Sequence, residues 1–240
     1  MKDFPFFSTE DGVASLILKE IPYRREAYIR IRDVQPGRFA PFLEECTAFC
    51  RMAGAEKIYA QGHEKLIHYP VHAAVYEMRG RAWVDSGQLE HIFPVTEATA
   101  EQWRKICNER MRDVDCAATQ TAADEKEMLA SGGGYFVHRN GELLGIGWLK
   151  DTQLLAVCSV VPGAGERVMH TLMSLAEGAD ITLEVASTNL RAIRLYEKLG
   201  FLRTAEKVRW YRVGRKSVQE KYLTGRRSRA ILLTQSRKCT

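Results

Sequence analysis

The stretch from Leu183 to Phe201 leaves little choice of local structure. Leu183 and Val185 alternate with Thr182 and Glu184, the period-two pattern of a half-buried strand. Ser187, Thr188 and Asn189 then offer three consecutive capping side chains, after which Ala192, Leu195, Tyr196 and Leu199 recur at i, i+3, i+4 and i+7. Gly200 ends the helix. A strand coupled so tightly to a helix leaves Glu184 near the strand's end and Tyr196 about two turns into the helix. Both can look into one cleft.

Around that stretch the chain reads as an ordinary soluble protein. Its 240 residues suffice for one large domain or two small ones, and 45% hydrophobic content suits a globular core. No apolar run approaches the ~18 residues of a membrane span, and the opening MKDFPFFSTEDG has neither a basic head nor an apolar signal core, so the expected compartment is the cytoplasm. Six cysteines (Cys46, Cys50, Cys107, Cys116, Cys158, Cys239) include no CxxC pair, and no histidine stands near them at ligand spacing. That points to buried free thiols and to no metal site. The net charge of +5 is concentrated: from Gly214 onward eight Lys/Arg face one Glu, leaving the rest mildly acidic. The basic end interleaves few aromatics and carries no recognised nucleic-acid motif, so nucleic acid is not an expected partner.

In chain order, ASLILKEI and REAYIRIRDV read as strands separated by a turn at Pro22-Tyr23-Arg24. After Pro36-Gly37 an amphipathic helix places Phe39, Phe42, Leu43, Cys46, Phe49, Cys50 and Ala53 on one face, Gly54 ends it, and the strand EKIYA follows. Val34-Gln35-Pro36-Gly37, helix, Gly54, strand is echoed by Val160-Val161-Pro162-Gly163, helix, Gly178, strand, which suggests an internal repeat. Residues 1–92 are then a truncated, non-catalytic copy of a module completed in residues 93–240; an unrelated α+β cap fits the same pattern. In the second part Thr99 and Gln102 form a capping box for a first helix, a second spans Thr121 to Ala130, and Asn140-Gly141 turns a hairpin. LLAVCSVV, apolar throughout, suits a fully buried central strand, and Arg229 to Thr234 offers a last strand beyond a basic linker, with a disordered tail as the alternative.

Leu183-Glu184-Val185, Asn189, Ala192-Ile193 and Leu195-Tyr196-Glu197-Lys198-Leu199-Gly200-Phe201 together resemble the closing motif of the GNAT family of acetyl-CoA-dependent N-acetyltransferases. The resemblance is closest to the branch that acetylates N-terminal amines of ribosomal proteins. It implies an α+β fold with a mixed sheet, the GNAT acyl-CoA N-acyltransferase fold, from about Phe93 onward. It implies acetyl-CoA as co-substrate and a small-molecule or peptide amine as acceptor, with oligomeric state, monomer or homodimer, left open. It assigns Glu184 as general base and Tyr196, twelve residues on, as the acid for the departing thiolate. The pantetheine arm would bond the backbone of Cys158, Ser159 and Val160. The pyrophosphate would lie on the loop and helix start of Gly163, Gly165, Glu166, Arg167 and Val168, where unpaired N–H groups and the helix dipole favour an anion. Asn189 would hold the cofactor arm or the turn. The family's loop pattern is Arg or Gln, Gly, any, Gly, any, Gly or Ala; with a one-residue deletion the match is Ala164-Gly165-Glu166-Arg167-Val168-Met169, in which Gly165 alone stays in register.

Each residue also has a quieter role open to it. Glu184 fits a solvated outward side chain, Tyr196 fits core packing, and Asn189 fits a pure N-cap. Gly163 and Gly165 fit a strand-to-helix turn, and Cys158 reads as inert packing rather than a nucleophile. A non-catalytic acetyl-CoA sensor or scaffold is the alternative to an enzyme.

Overall fold

The computed structural model describes residues 6–81, 89–176, 178–214 and the backbone of 231–233. In chain order the elements are β1 (Phe6–Thr9), β2 (Gly12–Ile17), α1 (Ile21–Arg24), β3 (Glu26–Val34), α2 (Phe39–Met52), β4 (Lys57–Gln61) and, after a 3₁₀ turn at Glu64–His68, β5 (Val71–Arg81). There follow β6 (His91–Pro94), α3 (Ala100–Met111), α4 (Ala122–Ser131), β7 (Gly134–Arg139), β8 (Glu142–Lys150), β9 (Gln153–Ser159), α5 (Gly165–Met173), β10 (Asp180–Ala186), α6 (Leu190–Lys198), β11 (Leu202–Val213) and β12 (Ile231–Leu233). The chain divides into two compact units, Met1–His72 with Arg209–Thr240, and Ala73–Val208. The fold class is therefore the expected one, α+β with mixed sheets. The division falls after His72 and again after Val208, whereas the sequence suggested a single division at residue 92.

In the first unit β12, β1, β2 and β3 pair antiparallel in that order, β3 pairs parallel with β4, and Tyr211, Arg212 and Val213 of β11 pair antiparallel with β4. The β3–α2–β4 passage is a parallel crossover. One face of α2 presents Phe39, Phe42, Leu43, Cys46 and Cys50 to a core shared with Phe7, Leu16, Ile29, Ile58, Leu66 and Val213. Full burial of such side chains contributes ~1.5–3 kcal/mol each. Cys46 and Cys50 are thus packing groups: burial raises both thiols, Cys50 to about 12. The turn expected at Pro22-Tyr23-Arg24 is one short turn of helix, closed by Arg25 in the left-handed region at φ 56°.

The second unit repeats the scheme. β6, β7, β8 and β9 pair antiparallel, β9 pairs parallel with β10, and β5 pairs antiparallel with β10 from Ala186↔Val75 to Asp180↔Arg81. Two findings differ from the sequence expectation. The place beside β10, between it and β11, is held by β5, contributed from earlier in the chain, whereas residues 229–234 were expected to close this sheet; Ile231–Leu233 instead pairs with β1 of the first unit. The proposed linker GRKSVQEKYLTGRR, residues 214–227, lies outside the described residues apart from Gly214. Sequence periodicity reports how a strand alternates, not which strand it lies beside, so such an exchange leaves no local trace.

Helices cover both faces of this sheet. α5 buries Val168, Met169, Leu172 and Met173 with Ile181, Leu183 and Val185 of β10 and with Tyr196 of α6. It can sit so close because β8 is glycine where α5 crosses: a Cβ on Gly147 would lie 2.3 Å from Leu172 Cδ1, and one on Gly145 2.7 Å from Val168 Cγ2. On the other face α3 and α4 pack Trp103, Cys107 and Met128 against Phe136, Ile146 and Trp148, with Ala156 and Cys158 alongside. The capping box lies at α4, not α3. Thr121 Oγ1 accepts from Asp124 N–H at 3.3 Å and Asp124 Oδ2 accepts from Thr121 N–H at 2.9 Å. Thr99 gives its helix no side-chain cap because its hydroxyl accepts from Thr96 N–H at 3.0 Å. Asn140 (φ 51°) and Gly141 (φ 84°) both adopt the left-handed conformation that a tight hairpin turn demands.

Candidate active site

The site begins where two parallel strands stop pairing. β9 and β10 are in register at Gln153↔Thr182 and Leu154↔Leu183, and no pair follows. β9 meanwhile stays bonded to β8, from Lys150↔Gln153 to Gly145↔Ser159. The result is a fork whose arms are residues 155–159 and 184–186. LLAVCSVV was expected to be fully buried; instead Leu155 is 38% exposed and residues 156–159 are half-buried, because one edge of β9 faces this gap.

Glu184 is the first residue of β10 beyond the last pair. Strand alternation turns it to the sheet face opposite Leu183 and Val185, where it is exposed. Among the described residues no side chain pairs with it. Its cross-strand neighbour Glu77 is held by the Thr204 hydroxyl, donating at 2.9 Å, and by Lys207 Nζ at 3.2 Å, which together hold that carboxyl below its usual range. Glu184 is thus the unengaged member of the two.

Tyr196 comes from the other face. It is 7% exposed, packs in the α5/α6 core, and its ring centroid lies 6.0 Å from that of Phe201. Burial, with the nearby Cys158 thiol adding to it, pushes the phenol up to about 12. It is therefore protonated throughout the neutral range. The Cys158 side chain belongs to the α3 face, where it hydrogen-bonds Cys107; that bond and burial raise the Cys107 thiol strongly. Tyr196 and Cys158 pack in cores on opposite faces of the sheet.

The backbone of β9 sorts its own donors. Val160 N–H donates to the Leu144 carbonyl at 2.8 Å. With Ile146 opposite Cys158, alternation directs the Cys158 amide toward β8 as well and the Val157 and Ser159 amides toward the fork. Of Cys158, Ser159 and Val160, it is the backbone of Ser159 that faces the gap; Val157 joins it and was missed in the sequence, because which edge an amide faces depends on register.

The loop that follows meets what a bound pyrophosphate requires. Gly163 turns at φ 81° with open space about it, and Ala164 starts α5 without a side-chain cap, so the first-turn amides of Gly165, Glu166 and Arg167 have no capping acceptor. Glu166, a negative charge near that position, is neutralised by Lys198 Nζ at 2.6 Å. Arg167 leans to Glu90, with Nε 3.7 Å from its carboxylate, so its charge is already engaged. Val168 does not belong with these groups: its side chain is fully buried and its N–H donates to the Ala164 carbonyl at 3.0 Å. Asn189 caps α6, its Oδ1 accepting from Ala192 N–H at 3.2 Å. Among the described residues no group of three or more His, Cys, Asp or Glu could hold a metal ion, and no helix is long and apolar enough to cross a membrane.

A mixed sheet that opens beside an uncapped crossover helix is the acyl-CoA N-acyltransferase fold of the GNAT proteins. Residues 92–201 match the model of the Acetyltransferase (GNAT) family. Among solved structures it is similar to a GCN5-related N-acetyltransferase from Anabaena variabilis ATCC 29413, at 10% identity and TM-score 0.54, covering 88% of this chain and 58% of that one. It is also similar to one from Sphaerobacter thermophilus, at 11% identity and TM-score 0.51, covering 83% and 75%. At such identities the likeness is one of fold. No curated protein matches the sequence.

Proposed function

We propose that residues 73–208 transfer the acetyl group of acetyl-CoA directly to a primary amine. The fork supports the reading: an unpaired carboxylate stands at its root on one face, and the buried, protonated Tyr196 packs on the opposite face of β10. A thioester lying between them would have both within reach.

An amine is protonated near neutral pH, so attack needs a base to free its lone pair, placement within ~3–3.5 Å of the carbonyl, and an acid for the thiolate. Acetyl-CoA supplies the activated acyl group. Glu184, exposed and unpaired, takes the amine proton directly or through one water. Tyr196 holds its proton in the dry core and delivers it at the sulfur. The Ser159 and Val157 amides hold the pantetheine arm and polarise the thioester oxygen, while the amides of Gly165, Glu166 and Arg167 hold the pyrophosphate, with Gly163 allowing close approach. Cys158 packs, and Asn189 fixes the turn that aims α6.

The closing motif's likeness to the ribosomal-protein branch makes a peptide N-terminal amine one acceptor class; a small amine of an amino acid, polyamine or aminoglycoside is the other. The reading assigns the protein to the cytoplasm and gives the N-terminal module, which in the structure is the first unit up to His72, no catalytic part. That second assignment is supported by β3 and β4, which pair with no gap between them. Calorimetric titration of acetyl-CoA followed by a screen of these amines for CoA release tests the proposal. Release with one acceptor class is the expected result; binding without release on any amine would favour a sensor, and absence of binding would reject both.

A further inference from the structure

The fork needs something to keep β9 from closing onto β10, and the ties that do so lie beyond the strand's end. Val160 N–H and Val161 N–H both donate to the Leu144 carbonyl, at 2.8 and 3.4 Å. The Val160 carbonyl accepts from the guanidinium of Arg110, on the last turn of α3. Both peptide groups of Val160 are therefore anchored, one to β8 and one to α3, and neither anchor is on β10. Leu144 acts through its backbone, which any residue would supply, so Arg110 is the side chain in which this geometry is encoded. A guanidinium suits the task because it stays charged at every working pH and its bond to a carbonyl is charge-assisted.

We infer that Arg110 is a positioning residue that holds the fork open, so that the Ser159 and Val157 amides stand ready for an acceptor group without the strand having to be pulled aside. Its kinetic consequence rests on the acetyl-transfer reading; its structural consequence does not. Arg110 touches neither the reacting atoms nor the first turn of α5, and its loss should weaken acetyl-CoA binding while leaving proton transfer by Glu184 and Tyr196 alone.

The test compares wild type, Arg110→Met and Arg110→Lys in two measurements. In steady-state assays Arg110→Met should raise KM for acetyl-CoA about tenfold and lower kcat by a smaller factor with its pH profile unchanged, and Arg110→Lys, which keeps a charged donor, should recover most of both losses. In hydrogen exchange on the protein without acetyl-CoA, the Val160 and Val161 amides should exchange faster in Arg110→Met, by about tenfold, and return toward wild type in Arg110→Lys. Unchanged exchange accompanied by a raised KM would overturn the inference, because Arg110 would then be contacting acetyl-CoA itself; a lysine variant as impaired as the methionine variant would overturn it too. If wild type binds no acetyl-CoA, the acetyl-transfer reading falls and the exchange measurement alone decides for or against Arg110.

Discussion

In the first unit β3 and β4 pair at five successive positions, from Glu26↔Lys57 to Arg30↔Gln61; in the second β9 and β10 pair at two and then part. Both passages run strand, loop, helix, strand, and both turn on a left-handed glycine before the helix, Gly37 at φ 77° and Gly163 at φ 81°. Each unit also holds a buried tyrosine and a glutamate. In the first, Tyr28 donates to Glu26 Oε2 at 2.9 Å, and Lys57 Nζ takes the other oxygen at 3.2 Å, so the pair is closed on itself. In the second, Glu184 and Tyr196 stand on opposite faces with a gap in the sheet beside them. The same architecture thus pairs these backbone and side-chain polar groups internally in one unit and leaves Glu184 and one edge of β9 unpaired in the other. What separates a candidate active site from a structural copy is the bonding left unmade.

The largest effect should come from removing the two phenols in turn. Tyr196→Phe should lower kcat by about 10²–10³-fold while acetyl-CoA affinity stays within about twofold, since a general acid contributes in the transition state and little to binding. Tyr28→Phe should leave kcat unchanged and reduce stability by about 1 kcal/mol through one lost hydrogen bond to Glu26, read from urea unfolding. Equal loss of turnover in both variants would erase the distinction between the units.

Much of this contrast was legible in residue order, and the decisive part was not. The alternation at 182–185, the caps at 187–189 and the helical stripe through Tyr196 are local patterns that the backbone obeys, and so they correctly foretold β10 and α6. The capping box was misread at Thr99 because Thr96 competes for that hydroxyl, a contest between neighbours that a spacing rule does not see. The fork depends on β9 keeping its register with β8 while losing β10, which is long-range, and an apolar run such as 154–161 looks the same whether both its edges are paired or one is free. The exchange of β5 into the second unit's sheet is long-range in the same sense.

The phenol also ties the site to stability. Tyr196 titrates near 10 when unfolded and about 12 when folded, a raised value, so its contribution is fully present below pH 10 and is lost as pH rises from 10 through 12. The two-unit difference corresponds to about 2–3 kcal/mol. Wild type should therefore lose about that much more than Tyr196→Phe between pH 9 and the top of the window, measured by denaturant unfolding. Parallel curves would mean that the phenol is better solvated than its burial implies. Smaller again is the cost at the paired glycines. Gly37→Ala and Gly163→Ala should each lose ~1–2 kcal/mol, the penalty for an L side chain in the left-handed region, since open space surrounds both positions and no clash adds to it. Only Gly163→Ala should also weaken acetyl-CoA binding.

The finest division concerns helix starts. α2 and α5, which begin at the two corresponding loops, have no side-chain cap, whereas α6 is capped by Asn189. An uncapped start leaves its amides for whatever the loop receives; a capped one has already satisfied a donor, and Asn189 Oδ1 is committed to Ala192 N–H. Asn189→Ala should therefore cost ~1 kcal/mol, and Asn189→Ser, which keeps an acceptor at the same place, only a few tenths. Both variants should bind acetyl-CoA as wild type does once compared at equal folded fraction. A serine variant that is stable but binds several-fold more weakly would make Asn189 a ligand contact as well as a cap, and would place α6 beside α5 among the helices that hold the cofactor.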